Sequence, residues 1–406
     1  MLPAYVEGGV CAPRGFVAGG TRCGIRKNHN KKDLALIYSQ APCAAAAVYT
    51  QNKVFGAPIM VTRRNLHDGF AQAVICNSGN ANTCTADGLE KAQRMCDVAA
   101  AALGILPDDV IVASTGVIGQ SLDVELIERG VAQLAPALSV EGAHAAAQAI
   151  MTTDLEVKER AVRFELDGKS VTIGSIAKGS GMIHPNMATM LSFITTDAAI
   201  TPAMLGLALK NVVADTFNMI SVDGDTSTND MVSIMANGMA GNDLIDCEGE
   251  GFASFTAALR AIAVEQARLI ARDGEGATRL LECNVTGAPD QATAKSIAKS
   301  VIKSSLVKAA MFGADANWGR ILCAIGYSEG AFRVETIDVY FQSIAGRIQV
   351  CRDGAGVHFS EETAKAVLQA DEIRIDVDMK QGSSAAAAWG CDLTYDYVKI
   401  NGDYRT

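Results

Sequence analysis

Aromatic side chains are few in this chain, 5% of 406 residues, whereas glycine alone contributes 38. Small residues in such number favour close packing of helices on sheets. No run of about 18 apolar residues occurs, so no membrane partner is expected. The opening Met-Leu-Pro-Ala-Tyr-Val-Glu-Gly-Gly has no basic segment followed by an apolar one, so no secretion signal is expected either. The 11 cysteines include no Cys-x-x-Cys pair, which removes zinc-ribbon and thioredoxin-like readings. Reduced thiols in the cytoplasm are the simplest account, with Cys76, Cys96 and Cys323 in apolar runs expected as small core residues. The net charge of −10 argues against a nucleic-acid partner, because phosphate binding needs clustered Lys and Arg. An acidic total still leaves room for an anionic substrate held by one Lys or Arg in a cleft. The five histidines contain no His-Glu-x-x-His and no close pair, so no metal site is expected. Gly116 and Gly119 are not spaced as Gly-x-Gly-x-x-Gly, and no Gly-x-Ser-x-Gly elbow supports a Ser–His–Asp triad.

The length makes two or three lobes the expectation. Apolar runs predict strands at Leu34–Tyr38, Ala44–Tyr49, Ala71–Cys76 and Asp109–Ala113. A helix is predicted over about 88–103, with Leu89, Ala92, Cys96, Ala99 and Leu103 as its apolar stripe and Gly104 as its left-handed cap. Ser121 is predicted to cap a second helix over 122–135, and Thr201-Pro202 to open a third. Met219–Val222 and Met231–Met235 read as strands around the turn Asp223–Asp230. A long helix is predicted over about 252–272, and another over about 293–303. Thr336–Phe341, Ile373–Val377 and Leu393–Val398 read as strands. This traffic indicates an α/β or α+β layered fold.

Residues 178–191 read Lys-Gly-Ser-Gly-Met-Ile-His-Pro-Asn-Met-Ala-Thr-Met-Leu, with the Ala188–Thr189 step at their centre. A threonine hydroxyl is a poor nucleophile unless a base sits beside it, and its own free α-amine is the nearest base a chain can supply. That amine exists only if the preceding bond is cut. Thr189 can add to the carbonyl of small Ala188, shift the acyl group from nitrogen to oxygen, and let water complete the cleavage. The same residues also read as a Gly-rich turn leading into a buried strand.

Other candidates are individually weaker. Thr115 and Gly116, in Ser114-Thr-Gly-Val-Ile-Gly119, follow a strand and can aim donors at an oxyanion. Lys178, eleven residues before Thr189, suits a substrate carboxylate or is a solvated turn lysine. Met151-Thr-Thr-Asp154 offers two hydroxyls and a carboxylate, or a simple turn. Glu275, between two glycines on an exposed backbone, suits a cationic amine or proton transfer, or is a solvated loop residue. His184 near the cut reads as a turn histidine, with assistance to proton transfer as the alternative. The terminal Asn401–Thr406 follows a strand pattern with no polar tail.

Taken in order, Gly8–Phe16, Asn77–Asn82, Ser114–Ile118, Met151–Asp154, Lys178–Leu191, Ser221–Asp230, Asp273–Thr278 and Asn401–Thr406 resemble the ornithine acetyltransferases, or glutamate N-acetyltransferases, of arginine biosynthesis. The resemblance covers nearly the whole chain and is most specific around Ala188–Thr189. It implies a self-cleaving precursor giving an α chain of 1–188 and a β chain of 189–406, assembled as a heterotetramer of two α and two β. It implies the layered α/β fold of the self-processing aminopeptidases, with helices packed on mixed sheets and two intertwined chains. Thr189 matches the nucleophile, and Thr115 and Gly116 the oxyanion hole. Thr152, Lys178, Thr189, Glu275, Asn401 and Thr406 match substrate-contacting positions. The implied reaction is ping-pong: acetyl passes from N2-acetyl-L-ornithine to Thr189, ornithine leaves, and L-glutamate departs as N-acetylglutamate. No cofactor is implied, with acetyl-coenzyme A open as a second donor. The alternative is a Thr-nucleophile amidohydrolase or aminopeptidase of the same fold. Cys11 is a small departure from the pattern and touches no proposed catalytic position.

Overall fold

The structure, a computed structural model, describes residues 3–28, 30–184 and 190–402. The first ten strands are β1 (Ala4–Val6), β2 (Phe16–Thr21), β3 (Leu34–Tyr49), β4 (Phe70–Asn80), β5 (Val110–Val117), β6 (Lys158–Leu166), β7 (Lys169–Lys178), β8 (Leu191–Thr196), β9 (Ile220–Ser221) and β10 (Met231–Ala236). Six more follow: β11 (Leu280–Ala288), β12 (Asp338–Ser343), β13 (Gly346–Arg352), β14 (Ala355–Gly356), β15 (Glu372–Asp378) and β16 (Ser384–Cys391). The described residues form two compact units.

The first unit comprises the described residues up to Gly179, those from Met190 to Phe217, and Thr226–Gln266. Its sheet runs β1-β6-β7-β8-β10-β3-β4-β5, with β2 also on β3. The pairs β8–β10 and β4–β5 are parallel and the others antiparallel. Alternate residues of β3, β4 and β5 fall into two separate cores. Ala35, Ile37, Val74, Cys76, Ile111 and Ala113 join one, packed with helix Ala143–Ile150. Leu34, Leu36, Ala73, Ile75, Val110 and Val112 join the other, packed with helices Gly88–Leu103 and Val124–Leu134. A sheet covered on both faces reads as continuous apolar runs, as these strands do.

Several boundaries differ from the sequence expectation. Leu34–Tyr38 and Ala44–Tyr49 are one strand, β3, whose register against β4 shifts between Tyr38 and Cys43. Pro42, which cannot donate to a ladder, lies within that shift. Leu89 is exposed, because the buried stripe runs through Ala92, Met95, Cys96, Ala99 and Ala100. Asp123, not Ser121, caps helix Val124–Leu134, its side chain accepting from the Glu125 N–H. Ser121 donates instead to Asp87 Oδ2 at 3.0 Å. Cys76 and Cys96 are buried as expected, but Cys323 is exposed. Gly104 adopts φ 72° after its helix, and Thr201 accepts from the Met204 N–H, both as predicted. The long helix is Glu250–Arg272, with Phe255, Leu259 and Ile262 buried.

The second unit comprises Ser180–His184, Asn218–Asp225 and the described residues from Ala267 on. Its sheet runs β14-β13-β12-β15-β11-β16-β9, with β11–β15 and β16–β9 parallel. Helix Gln291–Lys303 lies on β11 and β16 and buries Ala294, Ile297, Ala298, Val301 and Ile302. The strands around Asp223–Asp230 belong to different sheets: β9 pairs with β16, and β10 lies between β8 and β3. The predicted strand at Leu393–Val398 does not form: Leu393 and Thr394 are irregular, and Tyr395 opens helix Tyr395–Gly402. Both sides of β16 are already taken, by β11 and β9, so the Tyr- and Val-rich segment cannot fold back onto the strand before it, and tertiary context overrides its strand preference. No helix among the described residues is long and apolar enough to cross a membrane.

Thr201→Ala, which removes a helix cap, is expected to lower stability by about 1 kcal/mol. Urea unfolding monitored by circular dichroism checks this, and an unchanged midpoint would show the cap to be idle.

Candidate active site

At the ends of β4 and β5 the two backbones come unusually close. Gly116 adopts φ 133°, and a Cβ there would lie 2.4 Å from the Gly79 carbonyl carbon and 2.6 Å from Asn80 N. Only glycine fits against those backbone atoms. An asparagine network holds this end. Ser114 Oγ donates to Asn77 Oδ1 at 2.6 Å, and Asn77 Nδ2 to the Asn80 carbonyl at 2.9 Å. Asn229 Nδ2 donates to the carbonyls of Ala81 and Ser114 at 2.6 and 3.0 Å. Thr115 is thereby presented on a fixed backbone.

Lys178, the last residue of β7, is buried, which overturns the solvated-turn alternative. Its Nζ donates to Thr115 Oγ1 at 3.2 Å. A hydroxyl that accepts from a lysine keeps its own hydrogen to donate elsewhere, which is what an oxyanion requires. Lys178 pairs across β7–β8 with Leu191.

The carboxylate of Asp154 fastens the next residue. Its Oδ1 accepts from Gly179 N and from Lys158 Nζ, each at 2.7 Å, and its Oδ2 accepts from Thr152 N at 2.9 Å. Burial alone would raise its pKa, but Lys158, Lys178 and these hydrogen bonds outweigh burial and hold it below the ordinary carboxylate range. Thr152 is half-buried, and its carbonyl accepts from Arg26 Nη2 at 2.9 Å. Asp230 has the opposite tendency. It is buried, and its Oδ2 has no hydrogen-bond partner among the described residues. Burial drives its pKa well up, opposed only in part by a Ser227 hydrogen bond and the charge of Lys178, which favours the protonated acid.

In the second unit Glu275 is buried, not on an exposed backbone as expected. Its N–H donates to the Ser180 carbonyl at 2.9 Å, and its Oε2 accepts from Asn401 Nδ2 at 2.8 Å. A Cβ on Gly181 would lie 2.3–2.5 Å from the Glu275 carboxylate, so the glycine-rich motif is shaped to admit that acid. Asn401 is itself exposed, on helix Tyr395–Gly402. The Asp223 carboxylate accepts from the N–H groups of Met182 and Ile183 at 2.6 and 2.9 Å. His184 Nδ1 lies 3.0 Å from Ser221 Oγ. Burial, then Lys299 and Lys303, lower its pKa to about 3, so it is neutral at pH 7.

The structure therefore joins Thr115, Gly116, Lys178 and the Thr152 turn in one unit, and Glu275 with Asn401 in the other. Ala188, Thr189 and Thr406 lie outside the described residues. Sequence reasoning missed Lys158, Asn229 and Asp230. The four-residue spacing of Asp154 and Lys158 was the one available signal, and a buried ion pair cannot be told from a surface one by spacing.

Lys158→Met leaves Asp154 buried without its closest cation, and is expected to destabilise by about 3–5 kcal/mol. Denaturant unfolding measures this, and a loss below about 1 kcal/mol would show that the pair does not hold the β6 and β7 ends together.

Comparison with known proteins follows this geometry. The family model described as the ArgJ family matches residues 17–406. The arginine biosynthesis bifunctional protein ArgJ of Symbiobacterium thermophilum is 52% identical, covering 99% of this chain and 100% of that protein. A crystal structure of the bifunctional protein from Bacillus halodurans is similar at 50% identity and TM-score 0.50, over 53% of this chain and 99% of that one. An ornithine acetyltransferase from Mycobacterium tuberculosis, solved with ornithine, is 38% identical with TM-score 0.43, over 46% of this chain and 100% of that one. A family match over nearly all the residues, with about half of all positions shared with a full-length relative, establishes that this chain belongs to the ArgJ family.

Proposed function

We propose that the chain cuts itself between Ala188 and Thr189 and then carries an acetyl group on the Thr189 hydroxyl from N2-acetyl-L-ornithine to L-glutamate. The observation that carries this is the buried Lys178–Thr115 hydrogen bond, set beside Gly116 on a fixed pair of strand ends. Thr189 stands two residues before Leu191, the register partner of Lys178. In the first half-reaction the Thr189 oxygen adds to the acetyl carbonyl, and Thr115 and the Gly116 N–H receive the oxyanion. The carbon–nitrogen bond breaks, the ornithine amine takes the proton given up by the hydroxyl, and an acetyl ester remains. The glutamate amine then attacks that ester, the carbon–oxygen bond to Thr189 breaks, the amine's proton returns to the Thr189 hydroxyl, and glutamate leaves acetylated. Lys178 suits the α-carboxylate that both amino acids share, with Thr152 as a further contact. Glu275, held by Asn401, suits the side-chain amine of ornithine, and Thr406 completes the set that the family pattern assigns.

Cleavage would not release the two pieces. Strand β8, from the 189–406 piece, is paired antiparallel with β7 and parallel with β10, and β10 is paired with β3 of the 1–188 piece. The solved Bacillus halodurans chain, matched along 99% of its length to 53% of this one, is close in size to residues 189–406 and supports a two-chain mature form. That form would assemble as two α and two β chains in the cytoplasm. The relatives are called bifunctional, and the second activity we assign here is acetyl transfer from acetyl-coenzyme A to glutamate.

Thr189→Ala is expected to stay one polypeptide on a denaturing gel and to make no N-acetylglutamate. Normal turnover by that variant would remove the nucleophile, and free acetate in place of acetylglutamate from the wild type would mark a hydrolase. Lys178→Met, which keeps the apolar stem, is expected to reduce kcat/KM for acetylornithine by about 10–100-fold, the worth of one charged hydrogen bond. Its thermal midpoint is the control: a collapsed fold would make the lysine structural.

A further inference from the structure

The second unit carries a cavity of about 630 Å³ that the proposed transfer does not use. Its volume is in the range of small-molecule sites. Lys299 and Lys303 line it from successive turns of helix Gln291–Lys303, and Arg320 from helix Trp318–Gly326. Arg320 is anchored by donating to the Leu306 carbonyl at 2.9 Å. Among the described residues Glu329 is the one acidic member of the lining, and its backbone N–H is fixed by Ser296 Oγ at 2.8 Å. Against a net charge of −10 for the whole chain, three cations to one acid in a single cavity is a local reversal of sign.

The cations crowd one another. Lys299 has its pKa lowered to about 8, first by burial and then by Lys303. An anion in the cavity relieves both effects. Ser300 and Ser305 add hydroxyl donors to the lining, and Ser305 opens helix Ser305–Phe312. Three cations, hydroxyls and a helix start form the donor set that phosphate oxygens take. The cavity exceeds what inorganic phosphate alone needs. Tyr327, 60% exposed, and Leu306, 58% exposed, also line it, and the Tyr327 ring offers an aromatic face for a base.

We propose that this cavity binds a nucleoside phosphate ester, with Lys299 and Lys303 on its phosphates, and that coenzyme A is the ligand of that class. The choice of coenzyme A rests on the second-donor reading given under the proposed function; the phosphate-ester site does not.

The test is isothermal titration of the full protein with coenzyme A, adenosine 3′,5′-bisphosphate and inorganic phosphate, alongside acetylornithine-to-glutamate assays. Wild type is expected to bind coenzyme A and the bisphosphate, and phosphate much more weakly. Lys299→Met and Lys303→Met should each weaken coenzyme A binding about 10-fold and the double variant about 100-fold, one charged hydrogen bond per residue. Transfer from acetylornithine should stay within about twofold, and Lys365→Met on the separate helix Glu361–Leu368 should change nothing. Absence of binding by wild type, or equal binding by the double variant, overturns the site. Equal affinity for inorganic phosphate overturns the nucleoside part. Bisphosphate binding without coenzyme A binding overturns that choice of ligand. Lysine-dependent coenzyme A binding in a protein with no acetylornithine transfer supports the site and refutes the acetyl-shuttle reading.

Discussion

A carboxylate withdrawn from water, Asp154, accepts hydrogen bonds from the first residue of β6 and from the backbone just beyond β7, while its second oxygen holds the turn at Thr152. Lys158, itself buried, is its closest counter-charge. Neither charge is tolerable there alone, since desolvation of an unpaired ion exceeds what the surrounding packing returns. Together they pin the point where the chain leaves the sheet, and with it the direction of Lys178. The hydrogen bond from Lys178 to Thr115 then fastens the end of β7 to the end of β5. These strands are not sequence neighbours, so the polar floor of the site is made by long-range contacts and held by one buried ion pair.

Close backbone approach is the second constraint. At Gly116 the neighbouring strand occupies the space a side chain would need, and at Gly181 the Glu275 carboxylate does. In each case a glycine lets a polar group come nearer than any Cβ allows. Gly116 adjoins Thr115, and Gly181 packs on Glu275, so at both places the glycine is a packing requirement.

The first sheet also explains how a chain of this kind can be cut and remain whole. Strands from after residue 189 are inserted among strands from before it, with β8 and β10 lying between β7 and β3. The two outer ladders of that run, β7–β8 and β10–β3, tie residues before the cut to residues after it. One of the two apolar cores on the faces of the sheet draws on both pieces too, since Leu191, Phe193, Met231 and Met235 pack with Ile37, Val74 and Ile111. Severing one peptide bond removes none of these contacts.

Much of the framework was legible in the residue order. Apolar runs located several strands, among them β3, β4, β5, β10, β12 and β15, Thr201 and Gly104 announced a helix start and a helix stop, and the ordered short motifs pointed to the family. Those features are local: they depend on side chains a few residues apart, which a linear reading sees directly. Other features were decided only when distant segments met. A lysine at a glycine-rich turn and a glutamate between two glycines look solvated in sequence, yet Lys178 and Glu275 are buried. Residues 393–398 read as a strand, yet most of them fall in helix Tyr395–Gly402, because β16 has no free edge beside it. Burial, charge pairing and open sheet edges are properties of what the rest of the chain has already filled, and no spacing within a segment records them.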